Sequence, residues 1–168
     1  MKESRRSKGF SFVEILISII LVGLSITALV VASNSFTQAN ASGADISTAE
    51  FLVEQIRELT AMLPVADPDE TTWTALGLNG EATVTVYDDV DDFDDFDSAA
   101  LGAPIDAHRN PLNALAHFSQ RVTVKKVSKT DFDEVKLDNF DTPFARVTVQ
   151  VFLNGREVSS ASWIRARY

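Results

Sequence analysis

Seven aspartates fall within the ten residues Asp88–Asp97 of the stretch "YDDVDDFDDFDSAA". Carboxylates are hard oxygen ligands, and a calcium ion takes about 6–8 such oxygens from side chains, carbonyls and water. Asp88, Asp89, Asp91, Asp92, Asp94 and Asp95 are therefore candidate calcium ligands. The spacing is not that of an EF-hand. Phe93, Phe96 and Ala99 stand two residues after each Asp-x-Asp pair, and no glycine supplies the turn. A run of like charge also reads as a solvated loop or a disordered interaction segment. Val90, Phe93 and Phe96 interrupt it every third residue and predict an ordered loop, its apolar side chains pinned to a core with carboxylates between them.

Little else in the chain offers catalysis. His108 sits in "APIDAHRNPLNA", between Pro104 and Pro111, and reads as an exposed loop histidine; His117 likewise has no nucleophile and base set around it. The seven glycines never cluster into a phosphate-cradling loop. With no cysteine there is no disulfide, thiolate nucleophile or Cys-ligated metal. A hydrolase using two aspartates as acid and base is the one enzymatic class in view, and nothing fixes the spatial separation such a pair needs. The net charge of −9, from 15 basic and 24 acidic residues, disfavours a nucleic-acid partner, and no basic stripe offers a phosphate footprint.

The other chemically suggestive residue is Glu14, set into "KGFSFVEILISIILVGLSITALVVAS". Phe10–Ala32 is a 23-residue run with no other ionisable side chain. As a helix it spans about 35 Å, enough to cross a hydrocarbon core of about 30 Å. A charge near the bilayer centre costs about 2.5–3.5 kcal/mol on insertion scales, so Glu14 needs a reason to be there. Lys2, Arg5, Arg6 and Lys8 precede the run, and no basic residue follows soon. That asymmetry predicts a cytoplasmic N-terminus and an exported remainder. On these residues three readings stay open: a secretory signal cut near Ala39-Asn40-Ala41, a plain anchor, or a specialised segment. The stretch Ile15–Ala32 exceeds the usual signal core of about 7–15 residues, and a plain anchor leaves Glu14 unexplained.

The order of residues here, a basic leader, Gly9, then Phe10-Ser11-Phe12-Val13-Glu14 and a long apolar run, resembles the type IV prepilin signal. Pilins and type II secretion pseudopilins share that signal. The resemblance implies a leader over residues 1–9, cut by a prepilin peptidase between Gly9 and Phe10. It further implies N-methylation of Phe10, and Glu14 as the glutamate that guides assembly with other pilin subunits. The implied life history is a single-pass inner-membrane precursor spanning the lipid bilayer from Phe10 to Ala32. An inner-membrane assembly platform would then move it into a periplasmic or cell-surface filament. Gly23 falls where many such chains carry a helix-loosening glycine, whereas Val31 replaces their frequent proline. The Asp-Asp-Val-Asp-Asp-Phe core is also similar to a stretch in some minor pilins of the mannose-sensitive haemagglutinin kind. On the resemblance the function is that of a structural subunit, a minor pilin or pseudopilin. The rival is a membrane-anchored exported module that binds a ligand or calcium without polymerising.

The physics is compatible with this. Cleavage creates an ammonium at Phe10, and methylation keeps it a cation. In low dielectric, a Glu14 carboxylate paired with a neighbour's ammonium is far less costly than either charge alone.

The elements that hold these residues read as α+β: a long N-terminal helix packed on a small antiparallel sheet. Residues 33–63 continue the helix, with Leu52, Ile56, Leu59 and Leu63 as one apolar stripe and Pro64 as the stop. Gly43 and the Ser/Asn/Thr-rich stretch Ser33–Ser47 weaken the expected continuity. Residues 64–168 form the exported domain. Alternation predicts strands in "EATVTVY" (Glu81–Tyr87), "RVTVKKV" (Arg121–Val127) and "ARVTVQVFL" (Ala145–Leu153), with Asn154-Gly155 turning the last into "REVSSASWIRARY". Three or four strands are expected, with no internal repeat and no second domain beyond the helix.

Overall fold

The computed structural model describes residues 9–67, 73, 75–78 and 80–167. The basic leader residues Lys2, Arg5, Arg6 and Lys8 lie outside them. One long helix, α1 (Phe12–Ala61), opens the fold, and the chain divides between Gly43 and Ala44 into two units.

In the first unit, every described residue from Gly9 to Gly43 is exposed. The apolar side chains Ile15, Leu16, Ile17, Ile19, Ile20, Leu21 and Val22 cover all sides of the helix, and none is buried by this chain. A helix hydrophobic all round is one meant for lipid or for a protein interior. Its length and composition suffice to cross a membrane, with a mean hydropathy of 2.8 over the most apolar window. Five of the hydroxyls in it turn back on its own backbone and leave the helix intact. Ser18 donates to the Glu14 carbonyl at 2.7 Å, Ser25 to Leu21 at 2.8 Å and Thr27 to Gly23 at 2.9 Å. Ser35 and Thr37 do the same to Val31 and Ser33, at 3.0 Å each. The Ser/Asn/Thr-rich stretch and Gly43 therefore stay helical, against the weak continuity expected from their side chains.

In the second unit, Ala49, Leu52, Val53, Ile56, Leu59 and Thr60 form the buried face of α1. They share one core with an antiparallel meander of β1 (Phe118–Lys126), β2 (Phe144–Leu153) and β3 (Arg156–Ala166), in the order β1-β2-β3. Strict alternation puts Val122 and Val124 of β1, and Ala145, Val147, Val149 and Val151 of β2, inside. Leu153 pairs with Arg156 across a two-residue turn in which Asn154 and Gly155 both have positive φ, 51° and 80°. That is the signature of a type I′ turn, whose twist matches the strands it joins.

Two polar residues tie the layers together. Gln120, on the core face of β1, donates to the carbonyls of Leu52 at 2.9 Å and Ile105 at 3.1 Å, and accepts from the Ile105 N–H at 2.8 Å. Arg165 of β3 donates to the carbonyls of Thr60 and Leu63 at the end of α1.

"EATVTVY" is not a strand. Val84–Val86 forms a single 3₁₀ turn, with Val84 buried and Val86 54% exposed. Alternation alone does not make a strand; an open edge must be available to pair with. Here the Thr85 and Tyr87 carbonyls are taken by the Arg109 guanidinium instead. The free edge of β1 is occupied by the segment that follows. Val122 N–H donates to the Phe96 carbonyl at 2.9 Å, Gln120 N–H to the Ser98 hydroxyl and Val124 N–H to an Asp94 carboxylate oxygen, both at 2.8 Å. The aspartate-rich segment thus closes the sheet edge that would otherwise invite another strand.

Candidate functional site

Two places carry the sequence-predicted chemistry. At the N-terminal one, Gly9 and Phe10 precede the helix as exposed, non-helical chain, Phe10 being 83% exposed. Nothing lies within 4 Å of the place a Gly9 side chain would occupy. The Gly9–Phe10 bond thus lies outside α1. Glu14 stands in the first turn, where its Oε2 accepts from the Ser11 N–H at 3.0 Å. This is the reciprocal half of a capping box, in which the third helical residue satisfies the N–H of the cap. It also places an acid at the positive end of the helix dipole. Glu14 is exposed on this chain, with no basic partner among the described residues.

The second place is the aspartate segment, and the structure sorts its seven carboxylates into three groups. Val90, Phe93 and Phe96 are buried pins, with Phe93 meeting Tyr87 and Phe96 edge-to-face at 5.0 and 5.7 Å between ring centroids. Asp94 pairs with Lys125 at 2.8 Å as well as capping Val124 N–H. Against the opposing effect of burial, the Asp94 contact raises the Lys125 pKa. Asp97 pairs with Arg121 at 2.9 Å and accepts from Ala99 N–H. Partial burial pushes the Asp97 carboxyl up, but these bonds outweigh it and hold the pKa below the ordinary value. Asp88 and Asp95 face solvent, Asp95 with a positive φ of 61°.

Asp89, Asp91 and Asp92 are different. Each is only 1% exposed, and one carboxylate oxygen from each lies within 4.8 Å of the others. Asp92 N–H donates to Asp89 Oδ1 at 3.0 Å, Asp88 N–H donates to Asp92 Oδ2 at 2.9 Å, and the Trp73 indole N–H donates to Asp91 Oδ2. Each residue's remaining oxygen, Asp89 Oδ2, Asp91 Oδ1 and Asp92 Oδ1, is buried with no hydrogen-bond partner among the described residues. Desolvation, followed by the Asp89 charge, pushes Asp91 up to about 8 and Asp92 up to about 6; desolvation raises Asp89 as well. Of the six candidate ligands, then, the structure gathers three into one dry cluster. Asp92 is also shared with a more open group formed with Glu81 and Asp88, while Asp94 is engaged at the sheet edge.

Sequence reasoning passed over two neighbours of this cluster. Lys126 is fully buried and donates to the Trp73 carbonyl, its ammonium 4.4 Å from the Trp73 ring centroid. Burial lowers its pKa, and it makes no ion pair among the described residues. Its parity with Val122 and Val124 was the available signal, because every second residue of β1 faces the core. Trp73 lies 18 residues before Asp91, beyond any local pattern. His108 and His117 are both exposed and belong to neither place.

Residues 4–30 match the family model described as the prokaryotic N-terminal methylation motif. Neither the curated proteins nor the solved structures contain a match to the chain.

Proposed function

We propose that this chain, which carries the N-terminal methylation motif of the type IV pilin and pseudopilin class, is a non-catalytic filament subunit. It inserts in the inner membrane with its N-terminus in the cytoplasm and α1 crossing the bilayer from about Phe10 to Ala32. A prepilin peptidase cuts between Gly9 and Phe10 and methylates the new amine. The assembly platform then moves the subunit into a pilus or pseudopilus, where the helix exchanges lipid for the helices of other subunits. The acidic segment favours a minor role over that of the bulk subunit.

One observation carries this reading: the matched motif takes in the start of a helix whose apolar side chains are exposed from Phe12 to Val31 among the described residues. An anchor would account for that surface, and the helix cap for an acceptor in the first turn, but neither requires a full charge at membrane depth. Pairing of Glu14 with the Phe10 ammonium of a neighbour accounts for that charge, since each charge removes the other's cost in low dielectric.

The test is the mature terminus. Co-expression with a prepilin peptidase is expected to yield a chain beginning at N-methyl-Phe10 by mass spectrometry. Glycine has no side chain to obstruct the peptidase, so a bulky residue at position 9 should block cutting. A chain beginning at Ser42 would establish a secretory signal instead and overturn the proposal.

A further inference from the structure

We infer that Asp89, Asp91 and Asp92 hold one calcium ion, which locks the aspartate segment onto the free edge of β1. The site lies wholly in the unit beyond Gly43, and it stands whether or not the chain polymerises.

The argument begins with what the chain leaves undone. Three carboxylates are 1% exposed and crowded within 4.8 Å, and each gives one oxygen to the chain while the other has no donor among the described residues. A buried unpaired carboxylate oxygen forfeits its hydration with no return, and three like charges at that distance repel strongly. The segment nevertheless adopts a tightly held form, with Val90 and Phe93 fully buried on either side of Asp91 and Asp92. Something must offset the charge. Among the described residues the cation buried nearby is Lys126, and its ammonium turns to the Trp73 carbonyl and ring rather than to a carboxylate. A divalent ion offsets the ionised carboxylates and supplies a partner for the bare oxygens.

The donor set identifies the ion's class. All the ligands are carboxylate oxygens, with no histidine or cysteine near, which selects a hard cation. Magnesium holds its waters and demands a near-ideal octahedron, whereas calcium accepts irregular sets of chain oxygens. A site closed to solvent favours calcium. The more open group of Glu81, Asp88 and Asp92 beside it forms a negative approach from solvent to the dry cluster. The consequence reaches the sheet. Asp94, Phe96 and Ser98, which satisfy the N–H groups of Val124, Val122 and Gln120, follow directly on the cluster, so the ion fixes the strip of chain that closes the β1 edge.

The experiment uses the full chain in detergent micelles, with calcium, magnesium or chelator as the only variable. Calorimetric titration should give one calcium per chain. At a hundredfold excess of free ion over Kd, the melting temperature should rise by about 10 °C over that in chelator, and magnesium should do much less. Terbium in place of calcium should luminesce on excitation of Trp73, and Trp73→Phe should lose that signal while retaining calcium uptake. Asp91→Asn should abolish uptake but melt no lower than the parent in chelator, because it keeps the acceptor for the Trp73 N–H and can carry no charge to repel its neighbours. A purely hydrogen-bonding role for Asp91 would survive the change, since asparagine keeps an acceptor for the Trp73 indole N–H; calcium uptake would then stay at the parent level and overturn the inference. The exposed Asp95→Asn should behave as the parent. The parent chain alone also decides the matter: no stoichiometric uptake at millimolar calcium, with equal melting in calcium and chelator, would mean that the cluster shares protons rather than a metal.

Discussion

The guanidinium of Arg165, near the end of β3, donates to the Thr60 carbonyl at 2.6 Å and to the Leu63 carbonyl at 2.8 Å. The last carbonyls of a helix have no partner within it, and α1 has no basic residue in its own last turn. Arg165 supplies from another element both the donors and the positive charge that a helix C-terminus favours. Removing it should leave the Leu63 carbonyl without that donor and the Thr60 carbonyl with only the long 3.4 Å bond from the Leu63 N–H. Arg165→Ala is expected to cost about 1.5–3 kcal/mol, the range for hydrogen bonds to charged groups. Arg165→Lys should recover only part of that, because one ammonium does not reproduce the fork that spans two carbonyls. Thermal melting of the full chain in micelles, under fixed calcium, checks this; equal stability of parent and Ala variant would show that water serves those carbonyls as well.

Legibility followed the physics that each pattern encodes. The meander was readable because Val122, Val124, Val147, Val149 and Val151 alternate against polar neighbours, and because Asn154-Gly155 requires little beyond local backbone preference. Glu81–Tyr87 alternates equally well and forms no strand, since pairing depends on an edge already taken by residues 94–98. The pins Val90, Phe93 and Phe96 were readable as buried, for their spacing breaks the charge run. The burial of Asp89, Asp91 and Asp92 was not. A run of aspartates is soluble in every local window, and only the packing of Trp73 and β1 around it turns three of them inward. Gln120 and Lys126 illustrate the same limit: parity places them on the core face, but their partners Leu52, Ile105 and Trp73 are 15 to 68 residues away.

Lys126 gives a second handle on the cluster. Its ammonium feels the Asp138 charge and then that of Asp91, and makes no ion pair among the described residues. It therefore opposes an incoming cation while easing the repulsion among the aspartates when no cation is there. Lys126→Met keeps the apolar stem and removes the charge. Calcium should bind about tenfold tighter to this variant, as expected for removing one nearby like charge at an intermediate effective dielectric. In chelator the same variant should melt lower than the parent. Calorimetric titration and melting in the two conditions check both signs, and weaker calcium binding by the Met variant would contradict the charge balance described above.

Glu14 has two roles that a single substitution can separate. Its Oε2 accepts the Ser11 N–H at 3.0 Å, which needs only an acceptor, whereas pairing with a neighbour's Phe10 ammonium needs a negative charge. Glu14→Gln retains the acceptor, and glutamine serves that half of a capping box. Glu14→Leu removes both. Neither should impair membrane insertion, and both should ease it, because an unpaired carboxylate in lipid is unfavourable. If the charge pair drives assembly, Gln and Leu variants should both enter filaments about tenfold less well or worse, since a hydrogen bond to a charged group contributes about 1.5–3 kcal/mol. Sheared-filament yield, normalised to the membrane-fraction amount of each variant, measures this. A Gln variant that assembles like the parent while Leu fails would assign Glu14 to the helix cap alone. Two variants that both assemble like the parent would leave the acid without a part in filament growth.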